Sequence, residues 1–84
     1  MENLEEQYLD LVKEKCITYR WTLSNHVLDI MKSVLMTRDR VWHGGSGVNS
    51  IIGNDLKQCI NYCDDEIVRH LKELVIARDN FFIG

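Results

Sequence analysis

The stretch "NDLKQCINYCDDEIVRHLKELVIARDN", residues 54–80, carries the strongest structural signal in this chain of 84 residues. It contains no proline or glycine, and its apolar positions alternate steps of four and three residues, which is the spacing of an a/d seam on one helix face. The pattern predicts one helix over about 54–80 that begins at Asn54 or Ser50. The expected seam consists of Leu56, Ile60, Cys63, Ile67, His70, Leu74, Ala77 and Phe81.

Two more helices are predicted upstream, because the chain has no proline and its first 43 residues have no glycine. Asn3 is a suitable N-cap, with Glu6 three residues later as in a capping box, so the first helix is expected over about 3–20. Ser24 is a second capping residue and predicts a break before a helix over about 24–43. The alternative is one unbroken helix that continues to the glycines.

The expected architecture is all-α, with a single helical domain over 1–84. Gly44 and Gly45 should end the second helix, since glycine readily takes the left-handed conformation that follows a helix. Helices two and three would then form an antiparallel hairpin, with helix one packed across it. The three helices are expected over about 3–20, 24–43 and 54–80.

Composition indicates a globular protein, with 45% hydrophobic and 27% charged residues. The formal net charge is −3, and acidic residues are in excess in both halves of the chain, so we expect no general nucleic-acid binding. No apolar run approaches the roughly 18 residues of a membrane span, and the N-terminus is acidic, unlike a signal peptide. We therefore expect no transmembrane segment and a cytoplasmic location.

The glycine-rich stretch "RVWHGGSGVNS", residues 40–50, is a candidate anion site. Glycine turns can present backbone N–H groups to a phosphate, and basic side chains directly precede this one. The lysine and hydroxyl residue of a phosphate-binding loop are missing, which favours a plain interhelical turn. The alternative is a phosphate- or nucleotide-binding module. Its site would consist of Arg38, Arg40, His43, Gly44, Gly45 and Gly47.

Cysteine and histidine offer little chemistry in this pattern. Cys59 and Cys63 share a helix face and would supply half of a zinc site, but a second compact ligand cluster is missing. Both also suit the apolar stripe, and His70 lies on the seam, where it would help to set the register of helix pairing. An odd count of three cysteines favours free thiols in a reducing compartment. We expect no metal, no cofactor and no catalytic residue.

Large apolar side chains gather near the predicted helix ends and at the end of the chain. Such groups are typical of interaction surfaces, and tryptophan is enriched in their hot spots. A domain of this size also buries a modest core, which favours a homo-oligomer. The sequence therefore predicts a non-enzymatic protein that binds a protein partner or itself. The residues expected at that contact are Trp21, Trp42, Leu74, Phe81 and Phe82.

Two segments cover most of the chain and carry a resemblance to a known family. They are "QYLDLVKEKCITYRWTLSNHVLDIMKSVL", residues 7–35, and "RDRVWHGGSGVNSIIGNDLKQCINYCDDEIVRHLKEL", residues 38–74. They resemble the small cytoplasmic antiholin of T-even bacteriophages. The resemblance implies a regulator that binds the cytoplasmic part of a membrane holin and delays host lysis, and it implies no cofactor and no catalytic residue.

Overall fold

A computed structural model describes residues 3–83, which form six α-helices. The all-α expectation is confirmed, whereas the expected three helices and their hairpin are wrong. The first two predicted helices are present in shorter form, and the third is divided. The helices are α1 Leu4–Tyr19, α2 Asn25–Arg38, α3 Ser46–Ile52, α4 Leu56–Tyr62, α5 Asp65–Arg69 and α6 Leu71–Asn80.

Two local caps position α1 and α2 as expected. The Asn3 side chain accepts a hydrogen bond from the Glu6 N–H at 2.8 Å, and the Ser24 hydroxyl accepts one from the Val27 N–H at 3.3 Å. Between the helices, Arg20 takes the left-handed conformation with φ 60°. The break predicted at Ser24 is therefore confirmed, and the alternative of one continuous helix is wrong.

The second helix ends at Arg38, five residues before the predicted boundary at His43. Arg40 has φ 64° and donates its N–H to the Thr37 carbonyl at 3.1 Å, while the Val41 N–H reaches the Met36 carbonyl at 3.0 Å. This is a Schellman pattern, which satisfies the last carbonyls of a helix. An arginine, not a glycine, provides the left-handed residue, and no glycine within residues 3–83 has a positive φ.

Gly44 is needed for close packing. A Cβ atom at this position would lie 2.7 Å from the Val48 Cβ and 2.8 Å from the Thr37 hydroxyl oxygen. Gly45 precedes the first residue of α3 and has no atom near its missing side chain. Gly44 therefore allows α3 to approach the end of α2, and the prediction that Gly44 and Gly45 end α2 through their backbone conformation is wrong.

The predicted helix over 54–80 is divided at Cys63 and again at His70. Cys63 has extended backbone angles, φ −97° and ψ 148°, and the Asp64 carboxylate accepts a hydrogen bond from the Ile67 N–H at 2.9 Å. A side chain that caps a new helix competes with continuation of the old one. Asp65 adds a negative charge to the first turn of α5, where the helix dipole favours it.

The core lies around α2, which contacts α1, α3, α5 and α6. The first helix therefore packs on α2 and not across a hairpin. Ile67, Leu74, Ala77 and Phe81 of the predicted seam are buried, whereas Leu56 and Ile60 are 64% and 58% exposed. Buried apolar residues are Tyr8, Val12, Cys16, Val27, Met31, Val34, Leu35, Met36, Val48, Ile51, Cys59, Ile67, Leu74, Ala77 and Phe81.

The helices of this fold are short. The longest, α1, has 16 residues, and no helix within the described residues combines the length and apolar character of a membrane span. An ion pair also joins α1 to α2: the buried Lys32 ammonium of α2 binds Glu5 of α1 at 2.6 Å, and it binds Asp29 of its own helix at 3.0 Å. Pairing of this kind is what makes the burial of a lysine tolerable.

Candidate functional site

An apolar groove runs between α4 and α6 and is also lined by Ile51 of the last turn of α3. Its volume is about 560 Å³. Asn54 and Lys72 are its polar members, and Lys72 is exposed and makes no ion pair with any residue of 3–83. The full lining is Ile51, Asn54, Leu56, Cys59, Leu71, Lys72, Val75 and Ile76.

Leu56 and Ile60 form an exposed ridge at this groove. They lie four residues apart on α4, which places them one above the other on the same helix face. Leu56 also lines the groove itself. Leu56 is 64% exposed and Ile60 is 58% exposed, so no other element within residues 3–83 covers this face of α4. The groove and the ridge together are an extended apolar feature that the fold leaves uncovered.

The five residues predicted to contact a partner do not lie on one surface. Leu74 and Phe81 are fully buried in the core, and Trp21 is half-buried against Phe81, with ring centroids 5.8 Å apart. Trp42 and Phe82 are 55% and 59% exposed. Substitution of Leu74 by aspartate would therefore place a carboxylate in the core and unfold the protein, whatever its state of association.

The predicted anion site is distributed over separate parts of the surface. The Arg38 guanidinium binds the Asp39 carboxylate at 2.8 and 3.0 Å and donates to the Arg78 carbonyl at 2.7 Å. These contacts give Arg38 a structural role in the fold. Arg40 and His43 line an open cavity of about 320 Å³ together with the two residues between them.

Gly45 and Gly47 belong to a different cavity, of about 340 Å³. That cavity is also lined by Asp64, whose pKa is held below its ordinary value by the Ile67 N–H and by His26. A carboxylate that stays charged opposes the binding of an anion. The structure therefore separates these two glycines from Arg40 and His43.

The surroundings of the Cys16 and Cys63 thiols do not activate them as nucleophiles. Burial raises the pKa of the Cys16 and Cys63 thiols, and the Cys63 Sγ lies 3.7 Å from the Gly47 carbonyl oxygen. A thiol is reactive as its thiolate, so a raised pKa works against nucleophilic chemistry at neutral pH. Among the residues described, no three histidine, cysteine or acidic side chains converge in a way that would hold a metal ion.

Sequence reasoning missed a contact between His26 and Asp64. The His26 Nε2 lies 2.6 Å from the Asp64 carboxylate, and this hydrogen bond is the main reason that the pKa of His26 is raised. Both side chains are about half exposed. The sequence contained a signal for the position of Asp64. An aspartate followed by further acidic residues, as at 64–66, is typical of a helix N-terminus.

Comparison with known proteins gives no relative to guide the assignment. No protein-family model matches the chain, and neither the curated proteins nor the solved structures include a match.

Proposed function

We propose that this chain is a small non-enzymatic regulator that acts by binding another protein, and that the α4–α6 groove receives the apolar face of a partner helix. The observation that carries the proposal is the uncovered apolar groove with its exposed ridge at Leu56 and Ile60. Uncovered apolar surface of this kind marks interaction sites in small proteins.

The shape and charge of the groove favour an amphipathic helix as the occupant. Two helices form its walls, and a third helix laid between them would present apolar side chains at i, i+3 or i+4 spacing. The volume of about 560 Å³ accommodates several such side chains. Lys72 on the wall favours an acidic residue beside the apolar face of the partner.

The resemblance of residues 7–35 and 38–74 to T-even antiholins supplies a partner to test. On this proposal the groove binds a helix in the cytoplasmic part of a membrane holin, in the host cytoplasm, and the complex delays lysis. Stoichiometric binding accounts for such regulation without a cofactor or a catalytic residue.

The test is a calorimetric titration of the full chain with a synthetic peptide from the cytoplasmic segment of a T-even holin. Leu56→Asp and Ile60→Asp place charge on the exposed ridge and should each weaken binding at least tenfold, about 1.4 kcal/mol. Ile17→Asp is the matched control, because Ile17 is 80% exposed on α1 and does not line the groove. Circular dichroism establishes that each variant is folded.

Three outcomes would contradict the proposal. Binding that is equally weakened by Ile17→Asp, or unchanged by both ridge variants, would show that the groove is not the site. Sedimentation that detects a dimer of the free protein, lost in Ile60→Asp and retained in Ile17→Asp, would identify a second copy of this chain as the occupant.

A further inference from the structure

A second exposed feature follows the C-terminal end of α2 and shares no lining residue with the groove. It is the turn of four consecutive residues 40–43, called here the 40–43 turn. All four side chains are exposed, with Val41 at 43% and Trp42 at 55%, and together they line a cavity of about 320 Å³. The turn contains a tryptophan and an arginine, two of the residue types most enriched in binding hot spots.

Although it is exposed, the 40–43 turn is anchored at both ends. At its start, the N–H groups of Arg40 and Val41 are bonded to carbonyls of the last turn of α2. After it, the Gly44 carbonyl accepts a hydrogen bond from the Asn49 side chain at 3.0 Å. A loop held in this way loses little conformational entropy when it binds a ligand.

The carboxylates around the turn are already paired. Asp39 accepts hydrogen bonds from Arg38 and from the Tyr8 hydroxyl, the latter at 2.6 Å, while Glu5 and Asp29 both bind Lys32. Arg40 and His43 have no ion-pair partner among residues 3–83. The turn therefore presents an uncompensated positive charge in a chain whose net charge is −3.

Trp42 also borders a smaller cavity of about 180 Å³ between the first turns of α1 and the middle of α2, where Met36 and Ser33 form part of the wall. The indole thus lies between the cavity at Arg40 and His43 and a second cavity that is lined mainly by charged and polar residues, Glu5, Asp29, Lys32 and Ser33, together with Met36. The exposed indole beside the Arg40 charge is therefore the apolar part of this surface, which suits a segment that carries an acidic side chain next to an apolar one.

We infer that the 40–43 turn is a docking site for a short acidic peptide segment of a partner protein, with Arg40 binding a carboxylate and Trp42 contacting a neighbouring apolar side chain. An anionic membrane fits less well, because stable electrostatic adsorption needs several basic residues and the turn has a single arginine. The site lies outside the α4–α6 groove, so it can bind while the groove is empty.

The fluorescence of Trp42 serves as the probe in this test. In the Trp21→Phe variant Trp42 is the single tryptophan, and its emission can be followed as a capped hexapeptide of alternating glutamate and leucine is added. We expect a saturable change that weakens as salt is raised. A peptide with glutamine in place of glutamate should bind about tenfold more weakly, and so should the Arg40→Gln variant with the acidic peptide.

Arg69→Gln is the control, because Arg69 is an exposed cation on α5 that lines neither cavity. It should leave the affinity unchanged. The inference is overturned if the acidic peptide causes no saturable change, if the neutral peptide binds equally well, or if Arg40→Gln and Arg69→Gln weaken binding to the same degree. A response to inorganic phosphate or to phosphatidylserine vesicles without one to the peptide would also overturn it.

Discussion

The Arg38 guanidinium lies over the ring of Phe82, with its central carbon 4.3 Å from the ring centroid. The same group binds Asp39 beside it and the Arg78 carbonyl on α6. One side chain at the end of α2 therefore holds both the last turn of α6 and the residues that follow it. Its side chain is 14% exposed, so these contacts form in a largely desolvated position.

Arg38→Met should destabilise the protein by about 2 kcal/mol, because methionine retains part of the packing and loses hydrogen bonds made by a charged donor. It should also raise the pKa of Asp39, which the hydrogen bond from Arg38 now holds below its ordinary value. Urea denaturation measures the first effect. Arg40→Met, on an exposed side chain without such bonds, should change the free energy of unfolding by less than about 0.5 kcal/mol.

Gly44→Ala should destabilise the protein by about 1–3 kcal/mol, because the new Cβ overlaps Val48 and the Thr37 hydroxyl. Gly45→Ser is its control: there is open space at this position, and serine is a good residue for the N-terminal boundary of α3. Thermal unfolding of the two variants should therefore shift in opposite directions or by clearly different amounts. Equal losses in both would contradict the packing role of Gly44.

Arg40→Gly should stabilise the protein by about 0.5–1 kcal/mol. The left-handed conformation at φ 64° is costly for arginine and free of steric cost for glycine, and part of the gain is offset by the entropy of glycine in the unfolded chain. Chemical denaturation compares the variant with Arg40→Ala, which keeps the steric cost and should show no gain. A gain in both variants would instead trace the effect to the removal of the arginine charge.

The pair of His26 and Asp64 makes stability depend on pH. The raised pKa of His26 means that its contribution is fully present below 6.5 and is lost as the pH rises through the pKa in the folded protein. The lowered pKa of Asp64 means that its contribution is present above 3.8 and is lost as the pH falls. The pair therefore stabilises the folded protein most strongly between pH 3.8 and pH 6.5, and its contribution is lost as the pH moves further away in either direction.

A nuclear magnetic resonance titration of His26 tests this pair directly. Asp64→Asn should lower the pKa of His26 while α5 persists, because asparagine caps a helix as well as aspartate does. Asp65→Asn removes an adjacent charge that is not bonded to His26 and should have a much smaller effect. Similar titrations in the two variants would mean that the charge of the acidic run, and not the hydrogen bond, raises the pKa.

The sequence predicted the elements whose signals are local. The caps at Asn3 and Ser24 involve a side chain and an N–H group three residues later, so a short window contains both partners. The last predicted helix was wrong for a different reason. Its a/d spacing extends across α4, α5 and α6, and that spacing does not reveal that Cys63 is extended or that Asp64 starts a new helix.

The lining of the groove shows what the same a/d spacing predicted correctly and what it did not. Leu56 was predicted on the seam of one helix over about 54–80, and a helix with those bounds would also contain Leu71 and Val75. In the structure Leu56 belongs to α4 and the other two to α6, so they approach from opposite walls. The periodicity identified apolar residues correctly, and the helix breaks decided that they enclose a groove.

The sequence by itself determined the all-α class, the first helix and the boundary at Ser24, because helix propensity and capping act between residues a few positions apart. Only the tertiary structure decided which apolar residues are covered and which remain open. Arg38 meets Arg78 and His26 meets Asp64 across about half of the chain, and contacts at that separation exist only once the helices have packed.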